Sequence, residues 1–183
     1  MSETAIRDYA KTRGFHAQTL ARWLSWQPPD RGALAEIALP LKISENHLRD
    51  MMDWLEEIAL RDQEQIHEIL GRKVLGNITT DPRLGRADKL KRVKEQVRRW
   101  RFPRLAETEN AIREKIQALK LHPGIGLSVP PGLEGGRVQV EFSAASREEL
   151  RQLTSKLSEA LEKAVASEIF ELLSGARPEM GRK

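Results

Sequence analysis

Apolar residues recur along most of this chain at three- and four-residue intervals, the spacing that puts them on one face of an α-helix. Residues 6–13 carry Ile6, Tyr9 and Ala10 on one side, and the stretch up to Trp26 repeats the pattern with Leu20, Trp23 and Leu24. Gly14 stands between them, where a glycine in the left-handed conformation turns the chain sharply out of one helix and into the next. Ala10 is small enough to let the two helices cross closely. Pro28 and Pro29 end the second helix, and a short apolar piece at 33–39 is stopped by Pro40. Ser44 reads as the N-cap of a helix bearing Leu48, Met51, Met52, Leu55 and Ile58, and Ile66, Ile69 and Leu70 continue that pattern. Residues 74–88 hold Gly, Pro, Asn and Asp with little periodicity and read as a linker or long loop. A helix resumes over 87–100 with Leu90, Val93, Val97 and Trp100 on a narrow stripe.

The last third changes character. A helix over 105–121 directs Leu105, Ile112, Ile116 and Leu119 inward and stops at His122, Pro123 and Gly124. Residues 125–129 form a strand, a Pro- and Gly-rich turn follows, and residues 137–142 alternate Val138, Val140 and Phe142 with Arg137, Gln139 and Glu141. Ser146 and Glu149 make a capping-box signature that opens one long helix carrying Leu150, Leu153, Leu157, Leu161, Ala164, Val165, Ile169 and Leu172. The expected order is helix, strand, strand, helix. So small a unit buries little by itself and leaves strand edges bare, which a second copy of the chain would cover. Val138, Val140, Phe142, Leu150, Leu153, Leu157 and Leu161 are the expected dimerisation residues.

Composition sharpens the class. At 183 residues the chain makes one compact domain or two small ones; charge is abundant, aromatics few and cysteine absent, which rules out disulfides, thiolate metal sites and a cysteine nucleophile. The N-terminus has no apolar signal region and no stretch is long and apolar enough to span a membrane, so a cytoplasmic protein with no membrane partner is expected.

The net charge of +4 is unevenly spread. Residues 72–104 hold twelve Lys or Arg against three acids, a net of +9, so the remainder carries −5. Eight cations against one acid over 89–104 repel one another unless neutralised, and DNA phosphate is a natural counter-charge. Arg92, Lys94, Arg98, Arg99, Arg101 and Arg104 are the expected phosphate contacts. The acids Asp50, Asp53, Glu56 and Glu57 read as a solvated helix face. Glu64 and His67 have the spacing of a di-iron ligand pair without the second motif that such a site needs, and His16, His47, His67 and His122 show no zinc spacing. No nucleophile with its base and no phosphate-binding loop stands out, so neither enzymatic activity nor a cofactor is expected.

The opening pair of helices has the form of a helix-turn-helix, whose second helix enters the DNA major groove, although any helical hairpin shares that pattern. In the DNA-binding reading His16, Gln18, Thr19 and Arg22 face base edges. The segment AKTRGFHAQTLARWLSW, with ISENHLRDMMDWL after it and GGRVQVEFSAASREELRQLTSKL near the end, resembles the ParB family of bacterial chromosome and plasmid partition proteins. The resemblance implies a helix-turn-helix followed by a dimerisation module. His16 stands where that family commonly has a helix-capping Ser, and the chain starts almost at the helix-turn-helix, so the family's CTP-binding domain and its ATPase-stimulating peptide are not implied.

The expected fold is therefore mainly α: a helix-turn-helix helical domain over 1–73, a linker and basic helix over 74–104, an αββα dimerisation domain over 105–175 and a disordered tail over 176–183. The expected function is non-catalytic binding of double-stranded DNA by a nucleoid-associated homodimer, in partition or transcription regulation. The alternative is a structural adaptor that dimerises or pairs with another partition protein without reading DNA sequence.

Overall fold

The computed structural model describes residues 2–121 and 123–175; His122 and the tail at 176–183, expected to be disordered, lie outside the described residues. The chain is mainly α-helical with a small two-stranded antiparallel sheet. It divides into two compact units, the first ending at Phe102 and the second beginning at Pro103.

The first unit is helical throughout its regular elements. Ser2 caps α1 (Glu3–Thr12) by accepting from the Ala5 amide at 3.3 Å. Gly14 then takes φ +67, and the Phe15 amide closes the turn on the Ala10 carbonyl at 2.9 Å before α2 (Ala17–Ser25) begins. The prolines that stop α2 also start α3 (Pro28–Leu41), because the first turn of a helix needs no amide donor from them. What reads in the sequence as a short apolar piece is thus a fourteen-residue helix. Pro40 falls in its last turn, and Lys42 ends it with a left-handed φ of 50°. Helix α3 buries Leu34, Ala35, Ile37, Ala38 and Leu41, more of its circumference than a single stripe, which explains its blurred periodicity.

Helix α4 (Glu45–Asp62) follows with Leu48, Met51, Met52, Leu55 and Ile58 inward. A capping box between Gln65 and Glu68 opens the short α5 (Ile66–Leu70). Its start is also held by buried Asp30, whose Oδ1 accepts from both the amide and Nδ1–H of His67 at 2.8 Å.

The segment expected to be a linker is largely helical. Lys73–Thr80 forms α6, burying Leu75, and only residues 81–85 connect it to α7 (Arg86–Arg101). One buried leucine among Gly, Asn and Thr is too little periodicity to announce a helix. Helix α7 packs on α4 and α6 with Val93 and Val97 fully buried, so the basic helix belongs to the first unit.

The second unit opens with α8 (Pro103–Ala118). Strands β1 (Gly126–Ser128) and β2 (Gln139–Glu141) pair with Leu127 opposite Val140, joined by a longer connection over 129–138 whose turns place Gly132, Gly135 and Gly136 at positive φ. Buried Glu109 of α8 accepts from the Gly132 amide at 3.0 Å and anchors that turn. Ser146 caps α9 (Arg147–Leu161) through the Glu149 amide, as the capping signature predicts.

The expected single long helix is broken. Lys163 is extended, and α10 (Ala164–Leu173) starts anew. A straight continuation would carry those ten residues about 15 Å away from the core. The break instead brings Ala166, Ile169 and Leu172 onto the same cluster, with Ile112, as Leu153, Leu157 and Ala160 of α9.

Candidate functional site

The three residues between α3 and α4, Lys42 to Ser44, together with Glu45 at the start of α4, gather polar contacts from α1 and α2. The Tyr9 hydroxyl lies 2.7 Å from the Ile43 carbonyl and 3.1 Å from that of Ala38. Arg13 donates through Nη2 to the Lys42 carbonyl at 3.1 Å. The His16 amide and the Thr19 hydroxyl both donate to Glu45 Oε1, at 3.1 and 2.5 Å. The Thr19 hydroxyl, then the His16 amide and the charges of His16 and Arg49, hold the Glu45 carboxyl below its ordinary range. Burial pushes the Tyr9 hydroxyl up, against the pull of Arg13 and Arg86.

This turn fixes what α2 presents. His16, whose side chain is 84% exposed, and Gln18 are open to solvent. Thr19, only 7% exposed, faces the protein. Arg22 also faces inward, meeting Asp53 at 2.7 Å and Glu56 at 2.6 Å, while the Trp26 indole donates to the same Glu56 at 2.8 Å. Of the four residues expected at base edges, His16 and Gln18 share the open end of α2, and Thr19 and Arg22 bind it to α4.

Helix α7 is treated similarly. Lys94 reaches across to Asp50 at 3.0 Å and to His47 Nδ1 at 2.8 Å, with Trp54 beneath its ammonium. Arg101 pairs with Glu57, Arg98 with Glu95 at 3.0 Å, and Arg72 with Glu64. The acids of α4 that read as a solvated face therefore serve Arg22, Lys94 and Arg101. Arg92 is exposed and Arg99 half-buried, whereas Arg104 lies beyond the boundary, on α8. The six expected phosphate contacts do not form one surface of one unit. Trp100 packs against the core with Arg72 over its ring, not as an open stacking platform.

The sequence did not single out four exposed cations linked to the Lys42 turn: Arg13, bonded to the Lys42 carbonyl, Lys42 itself, Arg49, whose charge acts on Glu45, and Arg86, whose charge acts on Tyr9. They come from separate helices or joints, and no local spacing links them.

In the second unit Val138, Phe142, Leu153 and Leu157 pack against the core, while Val140, Leu150 and Leu161 stay 42%, 46% and 51% exposed, as does Phe170 at 51%. An apolar cavity of about 190 Å³ lies among them, lined by residues including Leu127, Val140, Leu157, Leu161, Ile169 and Phe170.

No helix among the described residues is long and apolar enough to cross a membrane, and none of their His, Asp and Glu side chains form a group of three or more able to hold a metal. No known protein family, curated protein or solved structure matches the chain, so the site is read from its own residues.

Proposed function

We propose that this is a ParB-like, non-catalytic protein that binds double-stranded DNA with α1, the Gly14 turn and α2 acting as a helix-turn-helix. The observation that carries the reading is the presentation of α2: its polar inner side is tied to α4 and the Lys42 turn, while His16 and Gln18 stand open at its start, among exposed cations. A helix held that firmly can offer side chains to a groove at low entropic cost. Gln18 suits bidentate recognition of adenine, and His16 flanks it. Thr19 and Arg22 serve as anchors in this reading, not readers.

The second unit, in which α8, the two strands, α9 and α10 follow one another, supplies the homodimer, through the open face that carries Val140, Leu150, Leu161 and Phe170. Dimerisation implies a two-fold, inverted-repeat DNA site, and the role follows as partition or transcription regulation on the nucleoid.

The test is selection of binding sites from randomised duplex DNA at about 150 mM salt, with wild type and Gln18→Ala. The expected result is an enriched inverted repeat whose preference at one base pair of each half-site relaxes in the variant. Uniform binding without enrichment removes the base-reading role.

A second reading, an adaptor that engages a protein partner such as another partition protein, draws on the internal neutralisation of Lys94, Arg98 and Arg101. Absence of DNA binding by the intact protein selects it.

A further inference from the structure

We infer that Arg13, Arg49 and Arg86, from the ends of three different helices, form a phosphate clamp that grips the DNA backbone beside the open end of α2. This rests on the DNA-binding reading and adds to it the contacts that set its affinity.

Arg13 is tethered to the Lys42 carbonyl, a neutral acceptor that orients the guanidinium without cancelling its charge. Arg49 stands one turn along α4 from Glu45, close enough for its charge to act on that carboxylate. Arg86 is located by register. Helices α4 and α7 run parallel, since Lys94 meets His47 and Asp50 while Arg101, seven residues on, meets Glu57. Eight residues back from Lys94 is about 12 Å along the axis, which carries Arg86 past the start of α4. The action of Arg86 on Tyr9, whose hydroxyl sits on the Ile43 carbonyl, agrees with that position.

Glu45, the acid at this end, takes its bonds from the Thr19 hydroxyl and the His16 amide and forms no ion pair with the three arginines. The arginines farther along α7 differ, because Arg98 and Arg101 meet carboxylates at close range. Guanidinium groups with exposed edges set about the turn that seats α2 suit a polyanion whose charges are regularly spaced, and the DNA backbone is that polyanion.

The experiment measures duplex affinity against salt concentration for the full chain, on its selected site. Each phosphate neutralised contributes about 0.9 to the slope of log affinity against log salt, so Arg13→Gln with Arg86→Gln is expected to lower that slope by about 2. At 150 mM salt the same loss corresponds to about thirtyfold weaker binding, with the preferred sequence unchanged. Arg49→Gln with Arg86→Gln gives the same result without touching the Arg13 tether, which covers the case in which loss of that tether unfolds α1. A wild-type slope in both double variants overturns the clamp while leaving DNA reading intact. No binding of duplex DNA by the wild type overturns both, and Gln18→Ala separates them by changing the preferred sequence at constant slope.

Discussion

At the scale of residues, Glu45 shows how one carboxylate can seat a helix. It receives the amide of His16, just before α2, and the hydroxyl of Thr19, and both bonds favour its ionised form. A carboxyl held below its ordinary value near 4.5 adds stability that is present above that pH and is lost as pH falls through the folded-state value. Glu45→Gln keeps an acceptor for both donors and removes the titration. Urea unfolding followed from about pH 6 down to about pH 3 is expected to show a shallower acid loss in Glu45→Gln than in wild type; parallel curves would remove Glu45 from the acid response. Asp81, pushed to about 2 by Arg83, adds an acid loss of its own that wild type and Glu45→Gln share. The polar character of α2 was legible in the sequence, but which polar side meets the protein was not. Thr19 and Glu45 are 26 residues apart, and nothing local relates them.

At the scale of elements, periodicity found the helices with one clean apolar stripe and missed those without. Helices α1, α2, α4 and α7 were readable for that reason. Helix α3 is buried on too many sides, and α6 offers one buried residue, so neither leaves a clear period. The break between α9 and α10 falls in a run whose leucines keep helical spacing across it, and only the position of the core requires it. The joint between α1 and α2 was plain from Gly14. Its φ of +67° strains any side chain although nothing crowds the site, so Gly14→Ala is expected to cost about 1 kcal/mol in thermal or urea unfolding, and Gly14→Asn less. The pairing of α4 with α7 yields a prediction of opposite sense. Asp50→Asn with Glu57→Gln frees Lys94 and Arg101, so stability is expected to fall by no more than about 1 kcal/mol per pair, while affinity for non-specific duplex DNA at low salt rises. Unchanged affinity would mean those cations do not face the nucleic acid.

At the scale of the whole molecule, two clusters of buried residues imply two folding units. Leu48→Ala empties part of the first cluster and Ile169→Ala part of the second, each expected to cost about 2–5 kcal/mol. Calorimetry is expected to show each variant lowering a different transition; a single transition lowered by both would mean the units unfold as one. The apolar face of the second unit belongs to the same scale. If the proposed dimer forms through it, Leu161→Glu with Phe170→Glu, both half-exposed, is expected to leave the fold intact and abolish self-association in sedimentation velocity; a monomeric wild type would overturn the dimer, and unaltered association would place its contact elsewhere. The sequence made the open face of this unit legible, because alternation and a capped helix were all that so few residues offered to cover a sheet. The sequence reading begins this unit at 105 and the structure at Pro103, within the charge run at 89–104 that straddles the boundary.

The short turn from Lys42 to Glu45 sets limits on how the chain length can vary. Because α1, α2 and α3 all bond to it, one inserted residue would advance α4 by a position and rotate its faces by about 100°, taking Leu48 and Met52 off the core or breaking the bonds from Tyr9, Arg13 and Thr19. The exposed link between β2 and α9, around Ser143 and Ala144, carries no such convergence. Length differences among descendants of this sequence should therefore collect at that link and be missing from the turn.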